Sequence, residues 1–452
     1  MTYREALNYL ESFVDYEKRP TFDYHAVMKL SRMRALLDGL GNPQRNFRSI
    51  HIAGTKGKGS TCAFVYSILK ESGIKAGLYT SPHLVDFKER IRISYPKERN
   101  IDGEELAALV TRIKLFLDNF SKSSKFGAPS FFEVYTALAF LFFSIKKVDI
   151  AVIEVGMGGR LDATNTIEPL AIGITPISLD HTDRLGKTIE AITREKCGII
   201  KENSIVVSSE QGPSVLNYIR KTAADRKAKI YLVGEDISYE PITASPDPAG
   251  QTFNVRGIYG DYTLLTMPLL GKHQVANAAT AVGIIESLRA HDITICSHDI
   301  TSGIRNVNWP GRLQVAAKSP WIILDGAQNE ASARTLKDAV KTIFAYKKLY
   351  LVFGVSLGKD IKGMARNLFP LAEEIFFTRA DTPRAVSPEK IRRDFPDYEK
   401  RSVATFNVKE AVELARRHAK PEDLILVTGS LFVVGEALRS LGKKSLRSEK
   451  TA

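Results

Sequence analysis

The stretch Gly54-Thr55-Lys56-Gly57-Lys58-Gly59-Ser60 limits what this chain can fold into more than any other. The apolar run Ser49-Ile50-His51-Ile52-Ala53 precedes it, and Thr61 to Leu69 beyond it has the pattern of a helix. Strand, glycine-rich turn and helix, in that order, make a phosphate-binding loop. Glycine lets the turn aim backbone N–H groups at an anion, and the following helix adds the positive end of its dipole. Lys58 is placed to reach the β- and γ-phosphates of a nucleotide, and a hydroxyl at Ser60 or Thr61 to face Mg²⁺. The common spacing puts Ser or Thr directly after the lysine, whereas Gly59 stands there in this chain. A tight turn with incidental lysines competes with this explanation. Two lysines and a hydroxyl within one turn weigh against it.

At 452 residues the chain exceeds what one core usually holds, so two domains are expected. A hydrophobic content of 44% with 25% charged residues fits an ordinary globular protein. No apolar run reaches the ~18 residues of a membrane span, and Met1-Thr2-Tyr3-Arg4-Glu5 lacks the apolar core of a signal peptide. Cys62, Cys197 and Cys296 are isolated, with neither zinc spacing nor a disulfide framework. Together these predict a cytoplasmic protein with no membrane partner. The net charge of +13 permits nucleic-acid binding, but the basic residues are spread rather than clustered, and anionic small substrates explain the charge equally well.

Short apolar runs alternate with helical patterns, which predicts a mostly parallel sheet wrapped by helices. Strands are expected at Ala76–Thr80, Val148–Val155, Leu170–Thr175 and Ser204–Val207. Ser130-Phe131-Phe132-Glu133 before an apolar stretch has the form of a capping box. Residues 230–270 suggest a small β excursion, with turns at Asp247-Pro248-Ala249-Gly250 and Tyr259-Gly260-Asp261. Ser121-Lys122-Ser123-Ser124-Lys125 has the biased composition of a loop. Asn308-Trp309-Pro310-Gly311 punctuates the chain, and the alternation restarts with strands expected at Trp321–Leu324, Leu349–Phe353, Ile375–Thr378 and Leu424–Val427. The predicted fold is α/β: an N-terminal P-loop-type domain over 1–308, then a smaller Rossmann-like α/β domain over 309–452.

Ligands in open α/β sheets lie at the carboxyl ends of strands. Ser81, Glu154, His181 and Lys196 are the chemical side chains at or near such ends. Each has a plainer explanation. Ser81 before Pro82 suits a turn. A strand glutamate is costly to bury unpaired, so Glu154 needs a cation, which a structural lysine or arginine would also supply. His181 can be an ordinary loop histidine, and Lys196 a solvated helix lysine. In the second unit, Asp325 before a glycine turn could accept from a ribose hydroxyl, bind a cation, or cap a helix. Arg312 could reach a phosphate across the cleft or lie exposed in a linker.

The set resembles the folylpolyglutamate synthase/dihydrofolate synthase family of Mur-type ligases. The matching pieces are Ile52 to Ser60, Tyr79-Thr80-Ser81-Pro82-His83-Leu84, Phe87-Lys88-Glu89-Arg90-Ile91, Ile153 to Asn165, Leu179-Asp180-His181-Thr182, Arg194 to Lys201, Pro310-Gly311-Arg312-Leu313, Asp325-Gly326-Ala327-Gln328-Asn329 and Thr428-Gly429-Ser430-Leu431. They keep the family's order over nearly the whole chain. The resemblance implies an ATP-dependent ligase that phosphorylates the carboxylate of a pteroate or folate and lets the amino group of L-glutamate displace the phosphate. It implies that Thr55, Lys56, Gly57, Lys58, Gly59 and Ser60 hold the triphosphate, and that Asn277, Arg312 and Asp325 bind ATP across the domains. It further implies that Ser81, Glu154 and His181 ligate Mg²⁺, that Lys196 is carboxylated by CO₂, and that Phe132, Glu133 and Arg160 lie near the pterin. Lys58, His181 and Lys196 would be the catalytic side chains. For Ser130 and Glu133 the capping box is a sufficient structural explanation.

Three positions depart from the family pattern: Lys56 stands for Asn, Gln328 for His and Cys197 for Ala. Lys56 adds charge to the loop, and Gln328 cannot carry a proton near neutral pH. The Arg160-bearing segment resembles bifunctional bacterial members, so both first addition to dihydropteroate and chain extension on reduced folates are expected, by a monomer. A Mur ligase acting on a cell-wall nucleotide precursor shares the chemistry but fits Gly158 to Asn165 less well. A basic P-loop ATPase acting on nucleic acid lacks the interleaved aromatic and basic residues it would need. A non-catalytic nucleotide-binding protein has no need of Glu154, His181 and Lys196.

Overall fold

The computed structural model describes residues 1–448 except 18, 20, 21 and 243–249. Its strands run β1 Arg48–Ala53, β2 Ala76–Tyr79, β3 Ile91–Ile93, β4 Arg99–Asn100, β5 Ile150–Glu154, β6 Ala171–Ile174, β7 Ile205–Ser208, β8 Lys229–Leu232, β9 Ser238–Pro241, β10 Gln251–Arg256, β11 Asp261–Met267, β12 Gln314–Lys318, β13 Trp321–Leu324, β14 Leu349–Phe353, β15 Glu374–Phe377, β16 Ser402–Ala404 and β17 Leu424–Thr428. Eight of them form one sheet in the order β4-β3-β2-β5-β1-β6-β7-β8. β2, β5, β1, β6, β7 and β8 are parallel, and β3 and β4 close one edge antiparallel. β1 lies at the centre, and the chain leaves it toward β2 on one side and reaches β6 on the other. That reversal opens a crevice at the carboxyl end of β1, where an α/β sheet takes its ligand.

The buried parallel strands read as apolar runs because both faces are covered. The helix Phe131–Ile145 is apolar nearly all round, with Val134, Leu138, Phe140 and Phe143 fully buried. Each such side chain contributes roughly 1.5–3 kcal/mol of burial. Its start is fixed by the predicted capping box: the Ser130 hydroxyl accepts from the Glu133 N–H, and the Glu133 carboxylate accepts from the Ser130 N–H.

Two expectations are corrected. Ser121 to Ser123 is helix, not loop: the helix Gly103–Ser123 runs through it. Leu106, Val110, Ile113 and Leu117 give that helix its buried stripe, and Lys122 in its last turn suits the dipole. The β excursion begins later than 230, because β8 is the edge of the main sheet. The excursion is the antiparallel sheet β11-β10-β9, whose Phe253, Val255 and Leu265 join the core with Val282 and Ile285. Asp247, Pro248 and Ala249 of one expected turn lie outside the described residues.

A second sheet, β12-β13-β17-β14-β15-β16, is parallel except for β12 and has its own core around Leu351, Phe353, Phe369 and Phe377. No helix among the described residues is long and apolar enough to cross a membrane.

Candidate active site

The chain turns directly after β1 through Gly54, and Gly57 adopts φ +85° to start the helix Lys58–Glu71. A Cβ at Gly57 would collide with the Asn277 side chain, and one at Gly59 would meet the Trp309 ring at 2.8 Å. The departure at Gly59 therefore has a physical reason: the loop is pressed flat against an indole from the interdomain segment. Backbone N–H groups of Thr55 and Lys56 donate to the Pro176 carbonyl, at 3.0 and 3.3 Å, and Thr55 Oγ1 donates to the Ser178 carbonyl. These bonds tie the loop to the segment after β6.

A cavity of about 300 Å³ opens over the loop, lined by Thr55 to Ser60, Ser81, Glu154, Asn277, Arg312 and Asp325. Residues of both sheets thus meet around one space. Lys58 Nζ donates to the Gly54 carbonyl at 3.1 Å, and Lys196 Nζ donates to the same oxygen at 2.8 Å. Lys196 is buried, so the solvated-lysine alternative is excluded. Burial, helped by the charge of Lys58, pushes its ammonium down to about 7.

Glu154 ends β5 in register with Ile52 of β1. Its hydrogen bond among the described residues comes from the Ser81 N–H, at 3.1 Å. Burial pushes its pKa up, and the charges of Lys58 and Arg312 oppose this without cancelling it. A buried carboxylate this weakly compensated, beside a serine and a phosphate loop, fits a hard divalent cation that also takes phosphate oxygens. His181 stands apart from that pair. It occupies a left-handed position, φ 51°, and lines a neighbouring cleft. Burial pushes its imidazole down to about 4 despite Asp180. No cluster of three or more His, Cys, Asp or Glu able to hold a metal occurs among the described residues.

Asp325 follows β13, and its carboxylate accepts from the N–H groups of Leu313 and Ala327 at 2.8 and 2.9 Å. It does not cap the next helix; Asn329 does, with Ser332 completing the box. Arg312 is partly buried, with the charges of Asp325 and Glu154 bearing on it, rather than free in a linker.

The residues expected near a pterin divide. The Phe132 ring lies 6.2 Å from that of Tyr79 and against Gly156, where any Cβ would strike it. Glu133 is corrected: Arg32 Nε donates to both its oxygens, at 2.9 and 3.0 Å, and Ser130 supplies two more donors. It is buried, and these bonds to the helix start and Arg32 account for it without a ligand. Arg160 is half-exposed and donates to the Glu195 carboxylate at 2.7 Å, bracing the residue next to Lys196.

The Mur ligase middle domain model matches residues 52–285 and the Mur ligase glutamate ligase domain model matches 311–431. A dihydrofolate synthase/folylpolyglutamate synthase from Bacillus subtilis is 34% identical over 416 residues, 91% of this chain and 94% of that protein. This chain belongs to the folylpolyglutamate synthase/dihydrofolate synthase family of Mur ligases. It is an ATP-dependent ligase. The folylpolyglutamate synthase of Thermotoga maritima superposes with a TM-score of 0.83 at 33% identity, covering 97% of this chain and 96% of that one. The Mycobacterium tuberculosis folylpolyglutamate synthase, solved with ADP and AMPPCP, gives 0.86 at 30% identity, covering 97% and 99%.

The ligase has a second, larger cavity of about 710 Å³ between its domains, lined by Asp180, His181, Arg184, Lys359 and Arg384 among others. Sequence reasoning missed Lys359 and Arg384. Lys359 lies in a turn beyond β14 with the local signature of a solvated lysine, so no local pattern marked it. His273, on the wall of the nucleotide cavity, was missed as well.

Proposed function

We propose that this ligase joins L-glutamate to dihydropteroate and to reduced folates, using ATP. One observation carries the proposal: a phosphate-loop cavity and an interdomain cleft lined by charges of both signs adjoin, joined by the Lys56–Asp180 ion pair of 2.8 Å. A carboxylate oxygen of the acceptor attacks the γ-phosphorus, the bond to the bridging oxygen breaks and ADP leaves. The glutamate amine then attacks the acyl carbon, phosphate departs, and the amine loses a proton. Thr55 to Ser60 would cradle the phosphates, with Lys58 countering the charge that develops between them. Asn277, Arg312 and Asp325 would hold the nucleotide from the cavity's far wall. Glu154 and Ser81 would hold Mg²⁺, which when bound neutralises phosphate charge. Lys359 and Arg384 give the cleft the positive charge a dicarboxylic amino acid needs. The wall of Phe132 and Tyr79 suits a flat heterocycle.

This reading agrees with the E. coli FolC complex with DHPP and ADP, whose fold matches with a TM-score of 0.84 at 28% identity over 98% of this chain. The spread of the basic residues over the chain, rather than in one cluster, speaks against a nucleic-acid partner. The test is ADP release with dihydropteroate or tetrahydrofolate, with and without L-glutamate. Glutamate-dependent ADP release with both acceptors is expected. Release with neither would refute the proposal.

A further inference from the structure

We propose that Asp180 is a counter-ion shared by the nucleotide loop and the carboxy-terminal domain, and that Lys56 exchanges it for the triphosphate. Nucleotide binding then tightens the hold of Asp180 on Lys359 across the cleft. The inference rests on the ATP-dependent reading above, although its test does not need the folate or glutamate parts of it.

Lys56 belongs to the phosphate loop and lines the nucleotide cavity, yet its ammonium is engaged elsewhere, 2.8 Å from Asp180 Oδ2. The other oxygen of that carboxylate has Lys359 Nζ at 3.9 Å. Lys359 comes from the second domain, on the loop after β14, and lines the interdomain cleft. Side-chain exposures of 13% for Asp180 and 14% for Lys359, against 33% for Lys56, leave Lys56 the most accessible of the three.

Two ammonium groups therefore face one carboxylate, with Arg184 and Arg384 in the same cleft. Asp183, Glu330 and Asp360 also line the cleft, but at Asp180 itself two ammonium groups share one carboxylate, and a triphosphate is the stronger anion. Lysine is suited to such an exchange, being a compact charge on a flexible stem. Once Lys56 turns to phosphate, Asp180 retains Lys359 as its ammonium partner. At 3.9 Å that pair is about 1 Å longer than a charge-assisted hydrogen bond, so it has room to close. Closing it draws the carboxy-terminal domain toward the loop. The coupling is reciprocal: a filled cleft must favour the nucleotide by the same factor.

The test is a double-mutant cycle on the Kd of AMPPCP, measured by calorimetry on the full chain without folate or glutamate. In the wild-type background, Lys359→Met leaves Asp180 dependent on Lys56 and should weaken AMPPCP about fivefold. In a Lys56→Gln background the same change should matter less than about twofold, because no ammonium is exchanged. Lys56→Arg, which keeps the charge, should restore the dependence on Lys359. Should Lys359→Met fail to fold by circular dichroism, Lys359→Gln replaces it in the same cycle. Equal fold-changes in the two backgrounds, including no change in either, would overturn the proposal. A non-additive cycle in a protein that makes no amide would leave the exchange standing and sink the proposed reaction instead.

Discussion

Replacing Lys196 should separate catalysis from stability. Its ammonium is pushed from 10.5 to about 7, chiefly by burial. At about 1.4 kcal/mol per pH unit, keeping the proton in the folded state costs about 5 kcal/mol. Between about 7 and 10.5 the unfolded chain binds this proton and the folded chain does not. The contribution of Lys196 therefore improves as pH rises through that window, and its cost is complete below about 7. Lys196→Met fills similar space without a charge, so its melting temperature should equal or exceed wild type at pH 6, with the advantage fading at pH 9. The family resemblance implies a carbamate on Lys196, and we propose that it forms on the neutral amine, so activity should fall ~10²-fold or more at both pH values. The nitrogen would bond the carbon of CO₂ and lose a proton, leaving an anionic carbamate where an ammonium would repel a cation. Stripping CO₂ should then lower wild-type turnover, most steeply below about pH 7, and bicarbonate should restore it. In Lys196→Ala, acetate should recover part of the loss. Scanning calorimetry at the two pH values, paired with ADP release, decides the matter. If Lys196→Met loses melting temperature in step with activity, the side chain is a structural donor to Gly54 and the carbamate role is wrong.

Lys58→Ala should stay folded and lose ADP formation by ~10²-fold or more, since one preorganised charge is worth a few kcal/mol in a transition state; near-normal turnover would contradict its place over the phosphates. Arg32→Met leaves the Glu133 carboxylate buried without its cation, which should cost about 3–5 kcal/mol. A chemical denaturation midpoint that does not move would show that Ser130 alone satisfies Glu133. Gly59→Ala drives a methyl into Trp309 and should raise the apparent KM for ATP; an unchanged KM together with unchanged tryptophan fluorescence would mean that the ring moves aside freely.

What the sequence disclosed and what it hid have a common cause. Buried parallel strands need apolar residues on both faces, so β13 and β14 are read to the residue and β5, β6 and β15 nearly so. The phosphate loop is legible because positive φ demands glycine at Gly57, and Glu154 because a carboxylate inside an apolar run is too costly to be accidental. Composition misled at Ser121 to Ser123, where the stripe three and four residues earlier decides the helix. For Glu133 the capping box was legible, while Arg32, its cation, lies 101 residues away and no local pattern pairs them. Gly59 was a departure without a reason until Trp309 supplied one. Lys359 sits between Gly358 and Asp360 in a turn and has the local signature of a solvated lysine. What gives it meaning is Asp180, which reaches it from the other domain. Residues that bind the substrate's charge must obey the local geometry of strand ends and turns, and local geometry is written in neighbouring residues. Residues that link two domains obey only the distance between side chains brought together by the fold. A family's motifs can point to the first kind, and for the second kind each partner has to be found in space.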